Sequence, residues 1–152
     1  MSNLISIDLP VSKPKNAECP ANHKIGKKVD NLILKSLLVL PINLIAHNGY
    51  YFCPNPACAV VYYSGVDEQV FTEADLKEKV YQKHPENQDV FVCYCFKHKV
   101  GDVHADVAKH GLSETVEQIT KGVQANQCAC DILNPQGSCC LGNVRGLVKH
   151  IH

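Results

Sequence analysis

Val92-Cys93-Tyr94-Cys95-Phe96 is the stretch that decides how the second half of this chain folds. It overlaps an apolar run, 90–94, whose β-branched and aromatic residues predict a strand. Alternate side chains of a strand lie on the same face, so Cys93 and Cys95 are expected to point the same way. Two thiolates presented side by side are good ligands for a soft or borderline metal ion. The stretch therefore predicts part of a metal site.

The remaining cysteines extend this pattern over the whole chain. Nine cysteines occur in 152 residues, and they form one group in each half. The two groups are Cys19, Cys53 and Cys58 with His23 nearby, and Cys93, Cys95, Cys128, Cys130, Cys139 and Cys140. The short spacings disfavour disulfides between neighbours, and an odd count leaves a disulfide framework incomplete. We therefore predict two metal sites in series.

Charge and composition exclude several classes of function. Lysines plus arginines and aspartates plus glutamates both number 15, so the formal net charge is zero. A balanced chain argues against nucleic-acid binding, which needs a basic face, and against electrostatic attachment to a membrane. The most apolar run, 32–46, is interrupted by polar residues and is too short to span a bilayer. With no signal-peptide pattern in residues 1–10, we expect a cytoplasmic protein whose cysteines bind metal.

Local patterns divide the chain into an α+β arrangement. Residues 1–18 are expected to be a mobile arm, 19–82 a zinc-binding α+β unit, and 90–152 a helical unit, with a polar linker at 83–89. In the first unit, β-rich segments at 50–52 and 60–63 flank a proline-rich loop that has a cysteine at each end. This pattern is typical of a β-hairpin stapled by a metal.

Capping signals predict the helices. Thr72 and Asp75 form a variant of the capping box, so a helix is expected to run from there to about Val80. In the second half, apolar residues at helical spacing predict two helices, the first ending at Gly111, and a last helix capped by Asn143. These helices fold the chain back and bring its cysteine pairs together.

The residues alone leave the second site open. A cluster of two irons needs four ligands, and Cys93 with Cys95 can serve one iron while Cys130 with Cys139 or Cys140 serves the other. The same thiolates can hold zinc equally well. A redox-active pair formed by Cys139 and Cys140 is a third interpretation.

A family resemblance favours the cluster. Residues 92–96 with the later cysteine group resemble the bacterioferritin-associated ferredoxin (BFD)-like [2Fe-2S] fold, a helix–turn–helix unit. The loop Asn134-Pro135-Gln136-Gly137-Ser138 before two cysteines, together with residues 51–62, resembles the N-terminal domain of CopZ-type copper chaperones. The resemblance covers most of residues 19–148. It implies one [2Fe-2S] cluster and one zinc ion.

The resemblance also implies the ligands. It assigns the cluster to Cys93, Cys95, Cys130 and Cys140, with Cys139 as the alternative to Cys140, and leaves Cys128 without a role. For zinc we expect three thiolates, from Cys19, Cys53 and Cys58, and the imidazole of the neighbouring His23 as the fourth ligand. The family opens with Cys-Pro-x-Cys, whereas Asn22 stands here in place of the second cysteine. The alternative is that this half has lost its metal and His23 is merely exposed.

The expected function follows from these sites. The resemblance implies one-electron transfer or metal handling, with Cu+ as a further cargo. It also implies a redox or metal-transfer partner such as a copper chaperone or transporter. The copper loop Met-x-Cys-x-x-Cys of the resembled chaperones does not occur in this sequence. Catalytic motifs of hydrolases or transferases are not found, and metal reduction is the enzymatic activity to consider. The alternatives are a non-redox zinc-binding interaction module and a thiol–disulfide oxidoreductase.

Overall fold

The computed structural model describes residues 17–46, 49–111 and 114–151. It confirms the α+β class. Residues 1–16 of the predicted arm lie outside the described residues. The last two residues of that arm, Ala17 and Glu18, contact the rest of the fold. Glu18 forms a β-bridge with Ile25, and the Ala17 carbonyl accepts a hydrogen bond of 2.6 Å from the Tyr63 hydroxyl.

The first half is an antiparallel sheet with one helix. Its strands are β1 (Lys27–Val29), β2 (Tyr50–Phe52), β3 (Val60–Ser64) and β4 (Val70–Thr72), in the order β1-β2-β3-β4. Strands β2 and β3 form the predicted hairpin, in which Tyr51 lies opposite Tyr63. Helix α1 (Asn31–Leu37) is capped by Asp30, whose side chain accepts the N–H of Leu32. Its apolar face belongs to the same core as the sheet.

The helix predicted from Thr72 to about Val80 is wrong in length. The capping box is present, since the N–H of Thr72 donates to the Asp75 carboxylate at 2.9 Å. Only one 3₁₀ turn, Glu73–Asp75, follows it. Leu76 then forms a β-bridge with Leu38. Pairing with a neighbouring segment therefore overrides the local helical signal.

The second half combines a small hairpin with four helices. Strands β5 (Phe91–Cys93) and β6 (His98–Lys99) pair with each other. The helices among the described residues are α2 (Val100–His110), α3 (Glu114–Gln124), α4 (Cys130–Leu133) and α5 (Leu141–Ile151). Gly111 ends α2 in the left-handed region, with φ of 73°, as predicted. The last helix begins before Asn143, at Leu141, so the predicted cap at Asn143 is wrong.

The two halves are packed together. Helix α1 packs against α4, and the buried Tyr62 hydroxyl donates a hydrogen bond of 2.5 Å to the Pro135 carbonyl. The Lys27 ammonium bonds to the Ser138 hydroxyl from the edge of the same sheet. The loop between α4 and α5, which carries two cysteines at its end, is therefore shaped by the first-half sheet. Among the described residues no helix is long and apolar enough to cross a membrane.

Removing the Tyr62 hydroxyl is expected to loosen this junction. In Tyr62→Phe the buried Pro135 carbonyl loses its donor, which costs about 1–3 kcal/mol of unfolding free energy. Urea unfolding followed by circular dichroism measures the loss. Tyr51→Phe is the control, since Tyr51 is half-buried and its ring stacks on Tyr63 at 5.6 Å between centroids. Equal stabilities of the two variants would contradict the role given to the hydroxyl.

Candidate metal centres

Three sulfur atoms meet in the first half. Cys53 follows β2, Cys58 precedes β3, and Cys19 lies in the turn before β1. Their Sγ atoms all lie within 4.8 Å of one another, and Cys19 and Cys58 are separated by 3.8 Å. Cys19 and Cys53 are buried, with exposed fractions of 0% and 2%. Three soft donors at this separation match the thiolate part of a tetrahedral zinc site.

Backbone hydrogen bonds fix these cysteines. The N–H of Cys53 donates to Val61 across the hairpin at 2.9 Å, and the N–H of Cys19 donates to Lys24 at 2.9 Å, which closes the turn. The chain then passes over Tyr63, whose hydroxyl accepts the N–H of Gly26 at 2.8 Å. A Cβ at Gly26 would lie 2.4 Å from that hydroxyl. Only glycine therefore allows the turn to approach the sheet so closely.

The surroundings of Cys53 favour a thiolate. Burial opposes ionisation, but hydrogen bonds from the Asn55 backbone and the Asn22 side chain, together with the nearby Lys83 charge, lower the pKa of Cys53. Burial raises the pKa of Cys19. A metal ion between the sulfurs would supply the charge that Cys19 needs in order to ionise.

His23, the predicted fourth zinc ligand, does not lie with the three sulfurs in this structure. The imidazole of His23 is exposed and is not among the ligand atoms that lie within 4.8 Å of one another. Instead, the Asn22 amide donates to the Cys53 sulfur at 3.2 Å. His23 stays close through its backbone, because its N–H donates to the Cys19 carbonyl at 2.8 Å. Its side chain must rotate towards the sulfurs to act as a ligand.

Four sulfurs converge in the second half. Cys93 ends β5, Cys130 begins α4, and Cys140 immediately precedes α5. The sulfurs of Cys95 and Cys130 are 3.2 Å apart, and Cys93, Cys130 and Cys140 belong to one buried cluster against which Cys95 packs. All four side chains therefore lie in the same part of the second-half core. Cys95 lies in the turn after β5, so the expected same-face arrangement of Cys93 and Cys95 on one strand is wrong.

The other two cysteines of this half lie apart from these contacts. Cys139 is exposed, whereas Cys140 has an exposed fraction of 1%. The Cys139 sulfur accepts the N–H of Leu141 at 3.5 Å, at the start of α5. Cys128 is half-buried in the connection before α4. The geometry therefore places Cys140, and not Cys139, among the converging sulfurs.

Close contact lowers the pKa of two of these four thiols and raises the pKa of the other two. Hydrogen bonds, first from Cys140, lower the pKa of Cys93 to about 7 and that of Cys130 to about 3. Those same contacts raise the pKa of Cys140, and the contact with Cys130 raises the pKa of Cys95. Four thiolates at this separation repel one another, so full ionisation requires a cationic core between them. The donor set fits an iron–sulfur cluster in this respect.

Neighbouring residues support this group of cysteines on the side of Cys95, which is its least buried member. The N–H of Ala129 donates to the Cys95 sulfur at 3.1 Å. Phe96 lies over Gly122 of α3, where a Cβ would come within 2.3 Å of the ring. Helix α5 begins directly after Cys140 and directs its partial positive charge towards an anionic site. A backbone donor such as the N–H of Ala129 cannot be predicted from the cysteine spacing, because every residue type except proline carries one.

Comparisons with known proteins agree with this arrangement for the first half. Residues 16–77 match the family zf_CopZ, described as a zinc binding domain. The match includes Cys19, Cys53 and Cys58 and ends before Cys93. The fold is similar to the X-ray structure of the Archaeoglobus fulgidus CopZ N-terminal domain, with a TM-score of 0.70 and 24% identity. That likeness covers 86% of this chain and 96% of the other. No curated protein matches the sequence.

Asn22 offers a direct test of the zinc centre. Loss of a hydrogen bond to a ligating sulfur lowers metal affinity about 10–100-fold, so Asn22→Ala is expected to bind zinc more weakly by that factor. Asn22→Cys is expected to bind zinc more tightly, since its thiolate would join the three sulfurs. Competition with a chromophoric chelator measures both affinities.

The matched control is Asn22→Asp. It can keep the hydrogen bond from Lys24 to the side-chain oxygen, 2.8 Å long in the native turn, but it cannot donate to Cys53. Its zinc affinity is expected to fall at least as far as that of Asn22→Ala. Native affinity in Asn22→Asp would show that the contact with sulfur has no effect on the metal.

Proposed function

We propose that this protein is a metal-handling protein that carries one zinc ion in its first half and one [2Fe-2S] cluster in its second half. The observation that carries the proposal is the meeting of three cysteine sulfurs within 4.8 Å in the first half, together with the clustering of four cysteines in the second half, where Cys95 and Cys130 are 3.2 Å apart. The match to a zinc binding domain supports the first centre, and the similarity to a CopZ domain fold supports metal handling.

The zinc ligands in this proposal are three thiolates and one imidazole. Cys19, Cys53 and Cys58 supply the sulfurs, and His23 completes a four-coordinate site after rotation of its exposed side chain. Such a closed site has no open position for a substrate. Its contribution is therefore structural, and it stabilises the turn, the hairpin and the loop that join at this point.

The second centre gives the protein its chemistry. A [2Fe-2S] cluster supplies one-electron transfer when bound. Cys93, Cys95, Cys130 and Cys140 hold it, in a helical unit of the BFD type. Three of the four are nearly fully buried, and Cys95 is the most accessible. A redox or metal-transfer partner, such as a copper chaperone or transporter, is expected to approach on the Cys95 side. In a copper-reduction reaction the reduced cluster would give one electron to Cu(II) in the cytoplasm, yielding Cu+ and the oxidised cluster, which a redox partner would then reduce again.

Serine substitutions of the adjacent cysteines Cys139 and Cys140 test this ligand set. Cys140→Ser is expected to lose most of its iron and its visible absorbance, because one buried sulfur of the convergent group is gone. Cys139→Ser is the matched control and is expected to retain both, since that side chain is exposed. Iron content and the absorbance spectrum after anaerobic purification provide the measurement.

The opposite result, loss of iron in Cys139→Ser alone, would overturn the assignment. Two alternatives remain distinguishable by the same preparations. A colourless protein with two zinc ions per chain would indicate a non-redox interaction module. Disulfide exchange that persists after metal removal and requires both Cys139 and Cys140 would indicate a thiol–disulfide oxidoreductase.

A further inference from the structure

A single 3₁₀ turn, Tyr81–Lys83, lies between the two candidate centres. Adjacent side chains of this turn point towards different halves of the protein. Lys83 contacts the cysteine loop of the first half, and Gln82 contacts the cysteine loop of the second half. The turn belongs to neither cysteine group, and Lys83 was assigned to a polar linker from the sequence. Its contacts give it a more specific role.

Lys83 holds the loop of the zinc centre. Its side chain is buried, with 9% exposed, and its ammonium donates to the carbonyls of Asn55 at 2.7 Å and Cys58 at 2.9 Å. A buried ammonium is costly unless such partners replace water. The two carbonyls lie within the loop between Cys53 and Cys58. The position of Cys58 therefore depends on the position of Lys83.

Gln82 holds the loop of the second centre. Its amide donates to the side-chain oxygen of Gln136 at 2.5 Å. The Gln136 amide in turn donates to the carbonyls of Ser138 at 3.3 Å and Cys139 at 3.1 Å. The Cys139 carbonyl is part of the peptide bond that leads to Cys140. A path of hydrogen bonds thus connects Gln82 to the backbone next to Cys140.

The turn is itself attached to the Cys93–Cys95 segment. The N–H of Tyr81 donates to the hydroxyl of Tyr94 at 3.0 Å, and Tyr94 lies between the two cysteines. Just before the turn, the N–H of Val80 donates to Glu73 at 2.8 Å, and just after it the His84 ring nitrogen lies 2.6 Å from the same carboxylate. Fixed at both ends, the turn can act as a rigid link between the two loops.

We propose that Tyr81–Lys83 couples the two centres, with Lys83 as a positioning residue for the zinc loop and Gln82 as a positioning residue for the loop that ends in Cys140. Filling the first centre then changes the geometry of the second, and the reverse follows by linkage. The proposal rests on the proposed function, since it assumes that both centres bind metal. It adds that they do not bind independently.

The experiment uses the full-length protein and zinc as the probe. Zinc added to zinc-depleted native protein is expected to shift the side-chain amide signals of Gln136 in NMR spectra and the visible circular dichroism of the iron-loaded form. Lys83→Met is expected to weaken zinc binding about 10–100-fold, as loss of an outer contact does, and Lys83→Arg to recover part of that loss. Lys79→Met, at an exposed position, controls for removal of charge.

Gln82→Ala separates coupling from simple loss of structure. It is expected to bind zinc with near-native affinity while zinc no longer shifts the circular dichroism of the second centre. Native coupling in Gln82→Ala, or native zinc affinity in Lys83→Met, would overturn the proposal. A protein that binds neither metal would instead refute the proposed function. Two loaded centres that do not respond to each other would refute only the coupling.

Discussion

Repulsion between crowded thiolates is the constraint on which the rest of this structure depends. The fold places three sulfurs within 4.8 Å of one another in the first half, and in the second half the sulfurs of Cys95 and Cys130 are only 3.2 Å apart. Negative charges cannot accumulate at such distances without a cation between them. Without a cation some of these thiols stay protonated, as the raised pKa values of Cys95 and Cys140 indicate, so a positive core would allow all of them to ionise.

Metal binding also explains how so small a protein is stabilised. The chain has no tryptophan, and its buried apolar residues form separate clusters in the two halves. Cys19 and Cys53 themselves belong to a third cluster with Val60 and Tyr63. In a chain of this size, metal ligation adds stability that a modest core cannot supply. In the proposed function, metal binding at these sites therefore contributes to the free energy of folding as well.

Much of the fold could be predicted because its signals are local. The hairpin around the proline-rich loop, the end of α2 at Gly111 and the apolar face of the last helix follow from spacing and capping chemistry. The helix expected after Thr72 did not form beyond one turn, since Leu76 pairs with Leu38 far away in sequence. Long-range pairing of this kind has no signature in a local pattern.

The candidate sites were predictable only as far as cysteine chemistry extends. Spacing predicts metal binding for both groups, and only the burial of Cys140 and the exposure of Cys139 favour Cys140 in the proposed ligand set. The burial of Lys83 and its contacts with the zinc loop could not be predicted, because a lysine in a polar stretch normally faces solvent. Iron-edge X-ray absorption on anaerobically purified protein tests the central claim most directly. The account predicts iron surrounded by sulfur, with a second iron as a close neighbour. Iron bound by oxygen or nitrogen ligands, or zinc alone in both centres, would contradict it.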